Sequence, residues 1–288
     1  LCLAGCSPAS GTDRRDSSNP FGVLEFLPWD HDWNEHHYAG EKPEKAIALM
    51  KEAGVGFVRM DFLWNDIEPA QGRFDFEKYD RLVAALDRAG IKILGLLNYN
   101  AAWASANWND APDPALFANY AEKVVSRYHK SVRYWEIWNE PDFNVYWTPQ
   151  DEMKSYTALL KVVHPRIKLA DPTARVVLGG LSQNIPFQLK RVYAHGGGPF
   201  FDVVSIHPFA DLSKPEPLEF VKNIYRATRK VMEANGDAAK KIWITELGCP
   251  GTDDPAVPGW WFGPNPSEAR QAQWVEDAYK ALEWEGVE

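Results

Sequence analysis

The sequence predicts an α/β fold, a parallel (β/α)8 TIM barrel that stops before its eighth strand. Three observations carry this. Seven short apolar segments rich in β-branched and aromatic residues recur along the chain, each reading as a buried strand. Amphipathic helices separate them, and such alternation means a parallel sheet covered by helices. Polar residues collect at the C-terminal ends of the strands, the face on which barrels hold their chemistry. A length of 288 residues suits one such barrel.

The strands are expected at "FGVLEF" (21–26), "GFVRMDF" (56–62), "KILGLLN" (92–98), "RYWEIWNE" (133–140), "RVVLGGLS" (175–182), "DVVSIHPF" (202–209) and "KIWITELG" (241–248). Between the second and third, Tyr79, Leu82, Val83 and Leu86 share one helical face, and Gly90 closes that helix. Before the fourth, Asp113 is the N-cap and Pro114 the first residue of a helix. Phe117, Tyr120, Ala121, Val124, Val125 and Tyr128 form its buried stripe. Thr148-Pro149 opens another helix, and Ser267 another that runs to about Glu285. The closing "GVE" is then the approach to a further strand. On this count the chain is a fragment of a longer protein, with strands one and seven unjoined. No G-x-G-x-x-G follows the first strand, which disfavours an open dinucleotide-binding sheet.

Composition narrows the function classes. Thirty-one Lys and Arg against 40 Asp and Glu give a formal charge of −9 with no long basic run, so nucleic acid is not the expected partner. No apolar stretch is long enough to span a membrane. The opening "LCLAGCSPAS" resembles the end of a bacterial lipoprotein signal, with Leu3-Ala4-Gly5-Cys6 as the lipobox. Residues 1–19 are then signal remnant and tether, Cys6 is the lipidation site, and residues 20–288 are the barrel. Such a protein is exported and lipid-anchored to the cell envelope, or periplasmic or extracellular if the match is incidental. With Cys6 lipidated and Cys2 removed, Cys249 is left as a small packed side chain.

The strand ends supply Arg59, Asp61, Asn98, Asn139, Glu140, Ser182, His207 and Glu246. Burying a carboxylate at the mouth of a strand is costly unless it is used or paired. Two glutamates, after strands four and seven, are the pair that glycosidic bond cleavage requires, one protonated and one ionised. Glu246 shares strand parity with Ile242 and Ile244, which places it with the barrel-filling residues; Glu136, deeper than Glu140, reads as a structural buried carboxylate. Neither cofactor nor metal is expected: there is no P-loop or zinc helix motif, and His31, His36 and His37 match no zinc spacing.

"WEIWNEP" (135–141) and "WITELG" (243–248) resemble the acid/base and nucleophile motifs of clan A glycoside hydrolases. With "GFVRMDFLWNDIEPAQGRFDFEKYDRLVAAL" (56–86), the chain from about residue 20 onward most resembles glycoside hydrolase family 39. The resemblance implies Glu140 as general acid/base, Glu246 as nucleophile of a retaining mechanism, Asn139 on the sugar 2-hydroxyl, and Arg59 steadying ionised Glu246. Two departures stand out. Phe209 sits where the clan often has a tyrosine, a role left to His207 or a loop tyrosine, and Asp142 replaces a common asparagine.

Of 13 tryptophans, Trp29, Trp33, Trp64, Trp103, Trp108, Trp147, Trp260 and Trp261 fall in loops after strands, where flat rings suit the CH face of a pyranose. The expected substrate-binding set is Asn139, Arg59, His207, Asn98, Trp64, Trp103, Trp147, Trp260 and Trp261. The loops after strands one, three and seven carry almost no Lys or Arg, which points to neutral sugars. The expected function is retaining hydrolysis of β-glycosidic bonds in oligo- or polysaccharides. The competing reading is a non-catalytic carbohydrate-binding barrel of the cell envelope.

Overall fold

The structure, a computed structural model, describes residues 19, 21–29, 42–151, 153–257, 259 and 263–284. The leader with Cys6, the histidines His31, His36 and His37, and Trp33, Trp260 and Trp261 lie outside the described residues.

Seven parallel strands run in sequence order: β1 (Gly22–Leu24), β2 (Phe57–Leu63), β3 (Lys92–Asn98), β4 (Tyr134–Asn139), β5 (Arg175–Gly180), β6 (Val203–Ile206) and β7 (Lys241–Ile244). Helix α1 (Lys42–Glu52) precedes β2, and a single turn α2 (Trp64–Ile67) and α3 (Glu77–Ala89) precede β3. Helices α4 (Pro114–Tyr128), α5 (Lys154–Ala170), α6 (Ile185–Ala194) and α7 (Pro217–Ala234) each follow a strand, and α8 (Glu268–Trp284) follows β7. A flat sheet would hold β2 and β7 about 24 Å apart at the usual strand spacing. Their Phe57 and Trp243 ring centroids are instead 5.9 Å apart, and Trp243 lies 4.5 Å from Tyr134 of β4. The sheet therefore curls into a barrel wall. No ladder joins β1 to β7 among the described residues. Tyr279 of α8 stands there instead, edge-on to Phe21 and donating its hydroxyl to the Gly22 carbonyl at 2.5 Å.

Strand alternation divides the core into two layers. Val58, Met60 and Phe62 of β2 and Trp135 and Ile137 of β4 face the helices, against the α4 stripe of Phe117, Tyr120 and Val124. Leu94, Val177 and Val203 fill the barrel interior beside Tyr134 and Trp243. The caps follow the sequence: Asp113 Oδ1 accepts from the Ala115 and Leu116 amides at 2.9 Å, and Gly90 ends α3 at φ 76°. Cys249 is a free, buried thiol packed with Ala210, Val221 and Trp274.

Three local expectations are corrected. Helix α5 begins at Lys154, not at Thr148-Pro149. Thr148 is held back by Asp110, which accepts its hydroxyl at 2.9 Å, and by the Ala111 amide on its carbonyl at 2.7 Å. In β7, Ile242 joins the helix-facing core while Trp243 points inward, so Glu246 does not share a face with barrel-filling residues. It enters the mouth because the ladder has ended at Ile244 and the backbone is free to turn. In β4, alternation breaks at Trp138, whose φ is 67°. Trp138 packs outward on Trp147 at 5.0 Å, and Asn139 turns inward out of step with Glu136.

Candidate active site

The site is organised around Arg59, which is 4% exposed on the inner face of β2. Its Nε donates to Glu136 Oε2 at 2.6 Å, Nη1 to Glu246 Oε1 at 2.6 Å and Nη2 to Asn139 Oδ1 at 2.9 Å. Burial opposes the guanidinium charge, but the Glu136 and Glu246 carboxylates outweigh it and hold the Arg59 pKa above its ordinary value. One planar fork thus aligns residues from β4 and from the end of β7.

Glu140 follows β4 with a φ of 43°, a strained backbone that turns its carboxyl across the mouth. It is 6% exposed, and one Glu140 oxygen lies within 4.8 Å of one Glu246 oxygen. Burial pushes the Glu140 carboxyl up to about 7, against the pull of Arg59 and a hydrogen bond from Ser182. Glu246 remains partly exposed and ion-paired to Arg59. The two carboxyls thus sit in opposite environments: one buried and proton-holding, one paired with a cation.

His207, buried after β6, bridges the pair from below. Its Nδ1 is 2.8 Å from Glu140 Oε1 and 3.9 Å from Glu246 Oε1, and Nε2 is 2.9 Å from Thr245 Oγ1. Desolvation lowers its pKa, which disfavours the imidazolium form. The imidazole fits only because β5 has Gly180 opposite; a Cβ there would be driven into the ring. Asp142, also buried and pushed up to about 7 by burial, accepts the Gln183 amide at 2.7 Å and the Ser182 amide at 3.0 Å. It therefore pins the β5 loop that brings Ser182 to Glu140. Glu140, His207 and Glu246 offer metal-type donors, but Arg59 and the Glu140–His207 hydrogen bond already engage them.

The remaining candidates separate. Asn98 is fully buried and donates to Asp61 Oδ1 at 2.8 Å, so it supports Asp61 and does not face a ligand. Trp64 is fully buried, bonded through Nε1 to Glu68 and stacked on Tyr120. Trp147 is 1% exposed and bonded to Ser155. Both pack into the core, Trp64 at the start of α2 against Phe117 and Tyr120 of α4, and Trp147 against Tyr156 of α5. Trp103 is half-buried, its Nε1 on the Glu68 carbonyl.

Exposed aromatic surface lies in a cleft of about 670 Å³ lined by Trp29, Tyr99, Trp108 and Tyr146 with Asn65 and Asp66, and Trp64 forms part of its wall. Trp108 is 48% exposed, edge-on to Tyr99 at 4.8 Å and to Tyr146 at 6.1 Å. Trp29 is tied into the site by Nε1 to Asp61 Oδ2 at 2.9 Å. Burial, with the charges of Glu140 and Glu246, raises the Tyr146 pKa. Tyr99 directly follows a strand end and Tyr146 lies in the β4 loop; a search for tryptophans alone passes over both.

The family model described as beta-galactosidase, Glyco_hydro_42, matches residues 32–108. Beta-galactosidase BbgII of Bifidobacterium bifidum is 40% identical over 73 residues, 25% of this chain and 11% of that protein. In fold, a family 39 glycoside hydrolase from Bacteroides cellulosilyticus superposes with TM-score 0.71 and 25% identity, covering 94% of this chain and 55% of that one. A family 39 β-xylosidase from Caulobacter crescentus gives TM-score 0.69 at 19% identity, covering 95% and 61%. The chain therefore spans little more than half of these solved structures and about a tenth of the matched curated relative. Its resemblance is to clan A glycoside hydrolases: to β-galactosidases over one N-terminal segment, and to family 39 enzymes in fold over nearly its whole length.

Proposed function

We propose that this chain is the catalytic barrel of a retaining β-glycosidase, with Glu246 as nucleophile and Glu140 as acid/base. The observation that carries this reading is a carboxyl pair with one oxygen of each within 4.8 Å of the other, one member pushed up to about 7 and the other held by Arg59. Retaining enzymes hold their carboxyls about 5–5.5 Å apart, whereas inverting enzymes need about 6.5–9.5 Å to admit a water.

In the first step a Glu246 oxygen attacks the anomeric carbon while Glu140 gives its proton to the departing glycosidic oxygen. Ester formation removes the Glu246 charge, which lowers the proton affinity of Glu140. Glu140 then takes a proton from the water that attacks the same carbon and releases Glu246. With its Oδ1 held by Arg59, Asn139 keeps Nδ2 for the sugar 2-hydroxyl. Trp108 and Tyr146 supply apolar faces beside the reacting sugar. The described residues lining that cleft include no Lys or Arg, and Lys78 beside it is paired with Asp66 at 2.7 Å. This supports neutral sugars over uronates.

Assay of the chain on aryl β-glycosides, with Glu246→Ala as control, tests the proposal. Turnover lost in the control supports it; sugar binding without turnover would indicate a carbohydrate-binding barrel. We also propose export and anchoring through lipidated Cys6. Cys6→Ala should abolish incorporation of labelled fatty acid, and incorporation into that variant would refute the anchor.

A further inference from the structure

Beneath the carboxyl pair runs a chain of buried hydrogen bonds whose direction is set at its far end. Glu136 accepts at both oxygens, Oε2 from Arg59 Nε at 2.6 Å and Oε1 from the Gly180 amide at 2.9 Å. A carboxylate paired with a guanidinium has no proton to donate. Ser205 Oγ, 3.1 Å from the same Oε1, is therefore the donor. Thr245 Oγ1 lies close to Ser205 Oγ and 3.4 Å from Glu136 Oε1, so its proton goes to one of these two acceptors. With that proton used, Thr245 Oγ1 accepts from His207 Nε2. Burial disfavours a second proton on the ring, so His207 is assigned as the Nε2–H tautomer with a bare Nδ1. At 2.8 Å from Glu140 Oε1, a bare Nδ1 makes a hydrogen bond only to a protonated carboxyl.

We propose that Thr245 and Ser205 are positioning residues for the acid/base: with Glu136 they hold His207 as the Nε2–H tautomer, and through it they hold Glu140 in its acid form. This deepens the glycosidase reading, and its kinetic consequence rests on that reading. The opposite polarity would leave Ser205 and Glu136 facing each other with lone pairs only, a penalty in a buried site. Other charged or titratable groups around Glu140 are Arg59 from β2, Asp142 and Tyr146 from the β4 loop, and Glu246 beyond β7. Those facing His207 are Glu246, Arg59 and Glu136.

Nitrogen NMR of histidine-labelled protein reads the tautomer directly, with the His207 signal assigned by its loss in His207→Gln. At about pH 6, below the Glu140 value of about 7, the wild type should show Nε2–H. Thr245→Val should move it toward Nδ1–H, and Thr245→Ser should restore Nε2–H. In kinetics on an aryl β-glycoside with a poor leaving group, Thr245→Val should move the basic limb of kcat/KM down by about one pH unit. Ser205→Ala should move it less, in the same direction. An Nδ1–H tautomer in the wild type overturns the proposal, as does a Thr245→Val variant with reduced kcat and an unmoved limb. Should Thr245→Val not fold, the wild-type tautomer decides alone. Absence of turnover even in the wild type would defeat the glycosidase reading, while the tautomer would still decide the network.

Discussion

Glu140 and Glu246 are the same side chain in two surroundings, and the proposed division of labour follows from that difference. Glu140 must be protonated to act as acid, so activity on poor leaving groups should fall as pH rises through about 7. Glu140→Ala should lose about 10²–10⁴ in rate on such substrates, spare activated aryl leaving groups, and recover with azide. Glu246→Gly should lose turnover on both. Identical responses of the two variants to leaving group and azide would reverse or cancel the roles. Stability supplies a second, independent readout. Because the folded-state value of Glu140 lies above its unfolded one, its contribution is intact at low pH and is lost as pH rises to about 7. Glu140→Gln should therefore raise the melting temperature by a few degrees at about pH 8 and change it little at about pH 4. Equal shifts at both pH values would mean that the burial of Glu140 carries no such penalty.

At the scale of elements, the strands were legible because β-branched and aromatic runs ending in polar residues have few other readings. Strand parity was less reliable at the two places where chemistry sits. The backbone of β4 turns over at Trp138, and β7 leaves its ladder before Glu246, so alternation misassigns both ends. Ser205 and Thr245 read as ordinary strand residues, since a hydroxyl gains meaning only from the neighbour that folding supplies. Trp147 was misread as a cleft residue, and Trp64 reaches the cleft only as part of its buried wall, because position after a strand does not reveal which way a segment folds. Gly180 shows the same dependence on a neighbour from the side of space, not of charge. Gly180→Ala would press a methyl group into His207, and should destabilise the fold by about 1–3 kcal/mol while disturbing the Glu140 contact. Chemical denaturation together with the pH profile would test this, and an unchanged midpoint with an unchanged basic limb would contradict it. In the loops, Trp108→Ala should weaken longer saccharides more than an aryl monosaccharide. Equal losses would assign Trp108 to packing.

At the scale of the molecule, the curled parallel sheet brings Arg59 of β2 to residues far along the chain, Glu136, Asn139 and Glu246. Strand count and order were readable from the alternation of elements; the convergence on one guanidinium was not, because it depends on how the sheet curls. The same convergence gives the account its central claim, that two carboxyls held on opposite terms by one scaffold perform a double displacement. The most direct test uses the aryl β-glycoside that the chain turns over best, in its 2-deoxy-2-fluoro form with an activated leaving group. That substrate slows breakdown of the covalent intermediate so that mass spectrometry can locate the sugar. The account expects one adduct per chain, on the peptide containing Glu246, and none in Glu246→Ala. An adduct on Glu140 or Glu136, or steady hydrolysis with inversion and no adduct, would contradict it.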